Sequence, residues 1–137
     1  KSCQHRPLMP ARRMAARRRR GNGPRTLNPQ EAREVRQRLD RLGLDSLAAY
    51  WQTDHWQRTR RREMGARPTC WVCEARRAVQ LHHTNYVSLM REGAGDLIPV
   101  CVPCHKAVHR MHVEKGKPLD EAHVAERARR RAHRGEA

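Results

Sequence analysis

Residues 79–109, VQLHHTNYVSLMREGAGDLIPVCVPCHKAVH, contain the strongest structural signals of this chain. They hold four of the nine histidines and two of the five cysteines of a chain of 137 residues. The segments AVQLHH and DLIPV have strand character and stand about a dozen residues apart, which predicts a β-hairpin with a long loop. A helix is expected to start near Val102 or Pro103 and to end before Gly116.

Two C-x-x-C pairs bracket this hairpin. Cys70 and Cys73 precede the first strand, and Cys101 and Cys104 follow the second. A two-residue gap lets both sulfurs of a pair reach one tetrahedral Zn²⁺ at about 2.3 Å. Four thiolates close the coordination sphere, so we expect this zinc to be structural and to replace part of a core that has no phenylalanine. A disulfide or redox pair is the alternative interpretation of these cysteines.

The four histidines of the same stretch have the spacing of a second metal site. His105 and His109 are four residues apart in the predicted helix and project from one face, where they can bind one ion. His82 and His83 are neighbours in a strand, so their side chains point to opposite faces of the hairpin. One of these two is expected to bind metal and the other to have a different task.

The chain resembles the HNH endonuclease family in the segments C-W-V-C, L-H-H-T-N-Y, E-G-A-G-D-L-I-P-V-C-V-P-C-H and A-V-H. The resemblance covers about residues 50–109 and includes the upstream segment Y-W-Q-T-D-H-W. It implies an α+β fold, with a small ββα-metal, treble-clef-like core and a pair of zinc knuckles, to which the rest of the sequence adds flanking helices and a basic N-terminal arm. It also implies metal-dependent hydrolysis of DNA phosphodiester bonds by a bacterial or phage protein.

The resemblance also implies a role for each histidine of the cluster. His82 would ligate the catalytic divalent ion, and His83 would be the general base that takes a proton from the attacking water. His105 would be the second metal ligand and His109 the third. Asp96 stands where the family often has its name-giving asparagine, and is expected to brace the loop and orient the general base.

Glu92 and Tyr86 occupy positions similar to the family's loop pattern and are given supporting roles. The chemistry agrees with these assignments, because phosphodiester hydrolysis needs a cation for the developing negative charge and a base that activates water. Imidazole has a reference pKa of about 6.5 and suits the base. Two histidine ligands leave open positions on Mg²⁺, Mn²⁺ or Zn²⁺ for phosphate and water.

A formal net charge of +16, a sequence pI near 11.3 and the absence of acids from the first thirty residues indicate a polyanionic partner. We expect DNA, bound mainly through phosphate contacts, with a dimer on DNA left open. The arginines expected to make these contacts are Arg17, Arg18, Arg19, Arg20, Arg58, Arg60, Arg61 and Arg62. No apolar run approaches the roughly 18 residues of a membrane span, and no signal-peptide pattern is visible, so a cytoplasmic location in a bacterial or phage-infected cell is expected.

Composition divides the chain into four parts. These are a basic flexible arm over residues 1–27, an N-terminal helix over residues 28–45, the nuclease domain over residues 46–112 and a C-terminal helical tail over residues 113–137. The tail mixes acids and bases, and we expect it to be a surface appendage.

Helix signals are also present outside the predicted ββα unit. An Asn-Pro-x-Glu start at residues 28–31 begins a helix that is expected to end at Leu42. A short helix and then a longer one over residues 54–64, stopped by Gly65, are expected next. A final helix is expected over residues 120–133.

Several side chains are assigned packing or surface positions. The aromatic residues Tyr50, Trp51 and Trp56 are predicted to be packing anchors. The remaining histidines are expected on the surface, namely His55, His112, His123 and His133. Cys3 and His5 are interpreted as incidental residues of the arm.

The main alternative from another class is a non-catalytic, zinc-stabilised nucleic-acid-binding protein. A zinc deaminase is disfavoured, because that chemistry uses an H-x-E motif with P-C-x-x-C, and neither Cys70 nor Cys101 follows a proline. The sequence leaves the base preference of the protein open, and it does not distinguish nicking from double-strand cleavage.

Overall fold

The computed structural model describes residues 27–135, which form five helices and a two-stranded antiparallel sheet. The elements are α1 (Pro29–Arg41), α2 (Leu47–Trp51), α3 (Asp54–Ala66), β1 (Gln80–His83), β2 (Leu97–Val100), α4 (Val102–Lys115) and α5 (Leu119–His133). The predicted α+β class is confirmed. The expectations for Cys3, His5 and Arg17 to Arg20 lie outside the described residues.

The hairpin at the centre of the fold has the predicted position, and the structure gives its register. Gln80 pairs with Val100 and His83 pairs with Leu97, and the intervening residues 84–96 form the long loop. Pro99 has no N–H to donate, but its carbonyl oxygen accepts a hydrogen bond of 2.8 Å from the backbone N–H of Trp71. The first cysteine pair is thereby attached to the outer edge of β2.

The ends of α1 and α4 are set by local sequence, as predicted. Asn28 and Glu31 form a reciprocal capping box at the start of α1, which satisfies two N–H groups that the helix leaves unpaired. Helix α4 begins after Cys101 and ends at Gly116, whose φ of 64° is the left-handed conformation that glycine adopts without strain.

Helix α3 is longer than the sequence predicts. It continues through Gly65 to Ala66, and the backbone N–H of Arg67 still donates to Glu63 at 3.2 Å. The residue that ends it is Pro68, because a proline disfavours helical backbone at the residue before it. The prediction that Gly65 stops this helix is therefore wrong, since a glycine within a helix is tolerated where packing supports the element.

Buried side chains form two clusters, one on each side of the hairpin. The first, the cysteine core, comprises Cys70, Val72, Cys73, Ile98, Val100, Cys101, Cys104, Val108, Met111 and Ala122. The second, the aromatic core, comprises Val35, Leu39, Tyr50, Trp56, Leu81, Leu89 and Leu97. Strand β1 contacts both α3 and α4, and alternate residues of a strand face opposite sides. The hairpin therefore belongs to both clusters.

Helix α5 is part of the core and not a surface appendage. Leu119, Ala122 and Glu126 are buried at positions that lie on one face of the helix, and α5 packs along α4. The guanidinium of Arg127 lies 4.2 Å from the ring centroid of Trp71, which places a cation over the turn between Cys70 and Cys73. The prediction failed because alanine, histidine and glutamate form this buried stripe, and apolar periodicity does not detect it.

Two of the three predicted aromatic anchors are confirmed. Tyr50 is fully buried and Trp56 is nearly so, whereas Trp51 is 43% exposed. Neighbouring residues of a helix point about 100° apart, so the five-residue helix α2 cannot bury both Tyr50 and Trp51 against one surface. No helix within residues 27–135 is long and apolar enough to cross a membrane.

Candidate metal centres

The four cysteines of the two C-x-x-C pairs meet in one place. Cys70, Cys73, Cys101 and Cys104 are buried and free, and their sulfurs all lie within 4.8 Å of one another. The sulfurs of Cys73 and Cys101 are 4.0 Å apart. Two thiolates on one tetrahedral Zn²⁺ with bonds of about 2.3 Å would lie about 3.8 Å apart. This cluster has the ligands and the spacing to hold one metal ion.

Local backbone structure presents these sulfurs. A turn after Cys70 is closed by the hydrogen bond from the N–H of Glu74 to the carbonyl of Cys70, with Glu74 at a φ of 57°. Cys101 caps α4 without using its side chain in a capping hydrogen bond, and Cys104 follows in the first turn. Both sulfurs of the second pair therefore stand at a helix N-terminus, where the helix dipole favours thiolates.

The thiols of the cluster differ in acidity. Burial raises the pKa of Cys70 and of Cys104. Burial is also the largest influence on the pKa of Cys73 and raises it, but hydrogen bonds from the backbone N–H groups of Ala75 and Arg76 and those with Cys70 and Cys104 together outweigh it and leave the pKa at about 7. Cys73 is thus a readier thiolate than Cys70 or Cys104, which a bound cation would deprotonate.

A second cluster brings together three histidines of the predicted catalytic site. The ligand nitrogens of His82 on β1 and of His105 and His109 on α4 lie within 4.8 Å of one another. The Nε2 atoms of His105 and His109 are 3.0 Å apart. Two imidazole nitrogens on one tetrahedral ion at about 2.0–2.1 Å would be about 3.3 Å apart. The cluster is therefore close to the size that a single ion requires.

His82 has an unusual environment within this cluster. Its side chain is 1% exposed, and Nδ1 and Nε2 are the only buried side-chain nitrogen or oxygen atoms in the described part of the chain without a hydrogen-bond partner. Leaving a polar group unpaired in the interior costs roughly 1–3 kcal/mol. Burial, and then the neighbouring His109 and His105, hold the pKa of His82 well below its usual value. His82 is therefore neutral and offers a lone pair to a cation.

A glutamine fixes the orientation of His105. Nδ1 of His105 lies 2.8 Å from Oε1 of Gln80, and an amide oxygen only accepts, so Nδ1 carries the proton. The lone pair of His105 is then on Nε2, which faces His109. Burial and then His109 lower the pKa of His105 to about 4, so it is a neutral ligand. Gln80 lies on the same side of β1 as His82, and sequence analysis missed it.

His83 lies on the other face of the hairpin, as the alternation of strand residues predicts. Its ring stacks between Trp56, at 5.2 Å between centroids, and Tyr86, at 4.9 Å. Its Nε2 is 3.2 Å from Oε1 of Glu92. His83 is thus held by two aromatic rings and one carboxylate, away from the ligand nitrogens of His82.

Glu92 is a central residue of this second face. Its side chain is fully buried and accepts hydrogen bonds from the hydroxyl of Tyr50, from Nε2 of His55 at 2.5 Å and from Nε2 of His83. Burial raises the pKa of Glu92, but hydrogen bonds from His83, Tyr50 and His55 outweigh it and hold the pKa at about 2. Glu92 is therefore a buried carboxylate that accepts hydrogen bonds from three side chains. Its structural role is larger than the supporting role that the sequence indicates.

Asp96 braces the loop but does not contact His83. Its carboxylate accepts from the N–H of Gly93 at 2.8 Å, the hydroxyl of Ser88 at 2.8 Å and the amide of Asn85 at 3.3 Å. The N–H of Gly93 is the largest cause that lowers the pKa of Asp96. The sequence interpretation expects Asp96 to orient His83, but the carboxylate that bonds His83 is that of Glu92.

Three of the histidines expected on the surface have structural contacts instead. His55 is half-buried and bonds Glu92, while His112 is buried between the carboxylate of Glu31 and the carbonyl of Lys117. His123 is buried, with its ring 5.3 Å from Trp71 and 6.2 Å from His82. These contacts join residues far apart in sequence, which spacing rules do not reveal. His133 is exposed, as expected.

The predicted arginines of α3 form an exposed basic row along the middle of this helix. Arg58, Arg60, Arg61 and Arg62 are all exposed. Arg60 donates to the carbonyl of Val79 at 3.3 Å, and Arg62 pairs with Glu63 at 3.2 Å. The same helix carries Trp56, so the row lies on the element that packs against His83.

Comparisons of the chain with protein-family models, with curated proteins and with solved structures found no match. The residues and their geometry are therefore the basis for assigning a function. They define two candidate metal centres of different kinds. The cysteine centre is closed by four sulfurs, whereas the histidine centre offers three nitrogens, one fewer than a tetrahedral ion accepts.

Proposed function

We propose that this protein is an endonuclease that hydrolyses phosphodiester bonds of DNA with a divalent cation and a histidine base. The observation that carries the proposal is the pair of unpartnered, buried nitrogens of His82, one of which lies within 4.8 Å of the ligand nitrogens of His105 and His109. A histidine kept only for packing has its polar atoms satisfied, as those of His112 are. Three imidazoles at ligand spacing are a ligand set that suits a divalent transition-metal ion and leaves it open positions.

The cysteine centre would hold a structural Zn²⁺. Four sulfurs leave no position for substrate, and the cluster joins the knuckle after Pro68 to the first turn of α4. Cys104 directly precedes His105, so a zinc ion here would fix the backbone that presents the ligands of the second centre. This supports a division of work between the two centres.

The catalytic cation, whether Mg²⁺, Mn²⁺ or Zn²⁺, would supply positive charge for the negative charge that develops on the phosphate and on the leaving oxygen. The protein contributes rigid ligand positions. Gln80 orients His105, burial fixes His82, and His109 stands one helical turn from His105.

His83 would act as the general base. It directly follows His82, so their Cα atoms are about 3.8 Å apart although their side chains face different sides of the strand. A phosphodiester bound at the end of β1 would therefore meet a metal ligand and a base from adjacent residues. Trp56 and Tyr86 restrict the ring of His83, which keeps the base in a fixed plane. By resemblance to the HNH family, the products would carry 5′-phosphate and 3′-hydroxyl ends.

DNA is supported as the substrate by the charge of the protein. The chain carries a formal charge of +16, and α3, the helix whose Trp56 stacks on His83, presents four exposed arginines. Such contacts bind phosphates without reading bases, so binding would be strongly dependent on salt.

Cleavage of supercoiled plasmid by the purified protein with Mg²⁺ or Mn²⁺ tests this function. Wild type is expected to nick or linearise the plasmid only when the cation is present. His83→Ala is expected to lose cleavage and to keep plasmid binding, while His133→Ala, on the exposed end of α5, is expected to behave as wild type. A wild-type protein that binds the plasmid but never cuts it with any cation would instead be a non-catalytic, zinc-stabilised nucleic-acid-binding protein.

A further inference from the structure

His83 belongs to a buried hydrogen-bond network around Glu92 that the proposed function does not yet use. Three side chains from three separate elements, Tyr50 on α2, His55 on α3 and His83 on β1, all point a donor at the carboxylate of Glu92. Tyr50 and His83 share Oε1, and His55 bonds Oε2. A buried carboxylate is costly unless such donors compensate it, and an apolar residue would fill this space more cheaply.

Hydrogen-bond chemistry decides where the protons are in this network. An ionised carboxylate has only acceptor sites, so the hydroxyl of Tyr50 must donate, and His55 and His83 must each carry a proton on Nε2. A neutral imidazole has one N–H and one lone pair. When Nε2 of His83 is protonated, its lone pair is on Nδ1.

Stacking alone does not determine which edge of His83 is basic. Trp56 and Tyr86 lie nearly parallel to the imidazole, with interplanar angles of 17° and 21°, and so fix the plane of the ring. A half-turn of the ring about the Cβ–Cγ bond would keep its plane and both stacking contacts, but would place carbons where the two nitrogens now lie. The hydrogen bond to Glu92 is the interaction that distinguishes the two orientations.

We propose that Glu92 is a positioning residue of this site: it holds His83 as the Nε2–H tautomer and makes Nδ1 the atom that accepts a proton from water. Tyr50 and His55 hold the carboxylate in place. The structural part of the proposal stands on these hydrogen bonds, and its catalytic part rests on the proposed nuclease function.

In the proposed step, Nδ1 of His83 takes a proton from water and the water oxygen forms a bond to phosphorus. The bond from phosphorus to the leaving oxygen breaks. The leaving oxygen takes up a proton from solvent. His83 is then an imidazolium whose Nε2–H bonds the charged Glu92, and such a charge-assisted hydrogen bond is stronger than the neutral one it replaces.

Nitrogen NMR of protein labelled with ¹⁵N at histidine tests the tautomer without any cleavage assay, because protonated and unprotonated ring nitrogens differ in chemical shift. The signals of His83 are assigned by their absence from His83→Ala. At neutral pH the wild type is expected to show His83 protonated at Nε2 and unprotonated at Nδ1. A wild-type spectrum with the proton of His83 on Nδ1 would overturn the proposal outright.

Glu92→Gln provides the second test. A glutamine amide can donate as well as accept, so His83 is expected to lose its single tautomer. The matched control is Glu126→Gln, because Glu126 is also buried but pairs with arginines of α5, Arg129 and Arg130, and not with His83. This control is expected to leave the His83 signals unchanged. A single unchanged tautomer in Glu92→Gln would contradict the proposal.

Cleavage kinetics separate positioning from folding. Glu92→Gln is expected to lower kcat by about 100-fold, within the usual range for loss of a general base, and to leave KM for plasmid within about twofold. Added to His83→Ala, it is expected to lower the rate no further, because it acts through His83. An equal further loss in the double variant would show a role independent of His83. If wild type cuts no DNA, the nuclease proposal fails while the NMR result still decides the tautomer.

Discussion

Replacement of His82 by leucine is expected to stabilise the protein while it removes the proposed catalytic centre. His82 is 1% exposed and neither ring nitrogen has a hydrogen-bond partner, so the fold carries the cost of desolvating them. That cost is roughly 1–3 kcal/mol for a buried unpaired polar group, and leucine is an apolar residue of similar size. We therefore expect His82→Leu to raise the free energy of unfolding by about 1–3 kcal/mol when no catalytic cation is present.

The assay is urea denaturation of zinc-loaded protein in buffer free of other divalent cations. The control is His112→Leu, because His112 is equally buried but both of its nitrogens are bonded, to Glu31 and to Lys117. That variant leaves a carboxylate and a carbonyl without their partner and is expected to lose about 1–3 kcal/mol. The two leucine variants are thus expected to shift the unfolding midpoint in opposite directions. If His82→Leu destabilises the protein as much as His112→Leu does, the reasoning from unpaired nitrogens is refuted.

Three further predictions concern zinc, salt and pH. Cys104→Ser or a strong chelator is expected to abolish zinc binding and most of the helical circular dichroism. Structural zinc contributes about 10–16 kcal/mol of folding free energy, which is as large as the whole stability of a typical domain, about 5–15 kcal/mol. An unchanged spectrum would contradict this prediction. Arg58→Ala and Arg61→Ala are each expected to reduce the slope of log binding constant against log salt by about 0.9 if each contacts one phosphate, and titrations at several salt concentrations measure it. The lowered pKa of Glu92, about 2 against a usual 4.5, means that its contribution to stability is complete above pH 4.5 and is lost as the pH falls toward 2. The stability difference between wild type and Glu92→Gln, measured by urea midpoints, is expected to shrink over that window, and a constant difference would exclude this linkage.

The parts of the fold that the sequence predicts are those set by neighbouring residues. The capping box at Asn28, the left-handed end of α4 at Gly116 and the hairpin before Cys101 each depend on a few adjacent positions. The cysteine spacing likewise anticipates the buried cluster, because a C-x-x-C turn can present its two sulfurs to a single ion. Such local signals can be recognised in the sequence because the structure they encode does not depend on distant residues.

The parts that the sequence does not predict depend on contacts between distant residues. Glu92 bonds Tyr50 and His55, which precede it by 42 and 37 residues, and nothing in the loop sequence distinguishes it from Asp96 as the partner of His83. Burial of α5 was missed because its inner face is polar in composition. Tertiary packing decides both the partner of His83 and the burial of α5. Sequence periodicity reports such packing only when the buried residues are apolar.

The separation of His82 from His83 is the feature that joins fold and proposed chemistry. Strand alternation directs the imidazole of His82 to α4, which carries His105 and His109. It directs the imidazole of His83 to α3, where aromatic rings and Glu92 hold it. One short strand would thus serve the proposed metal centre on one face and the proposed base on the other. The two faces can be disabled independently, by His82→Leu and by Glu92→Gln.

Plasmid cleavage by wild type and by His82→Leu, measured at equal DNA occupancy with Mg²⁺ or Mn²⁺, tests the central claim most directly. The wild type is expected to cut in a cation-dependent manner, and the variant is expected to bind the plasmid equally well, to unfold at higher urea and to cut nothing. Cleavage by His82→Leu at the wild-type rate, or no cleavage by the wild type with any cation, would contradict a catalytic metal centre at His82, His105 and His109.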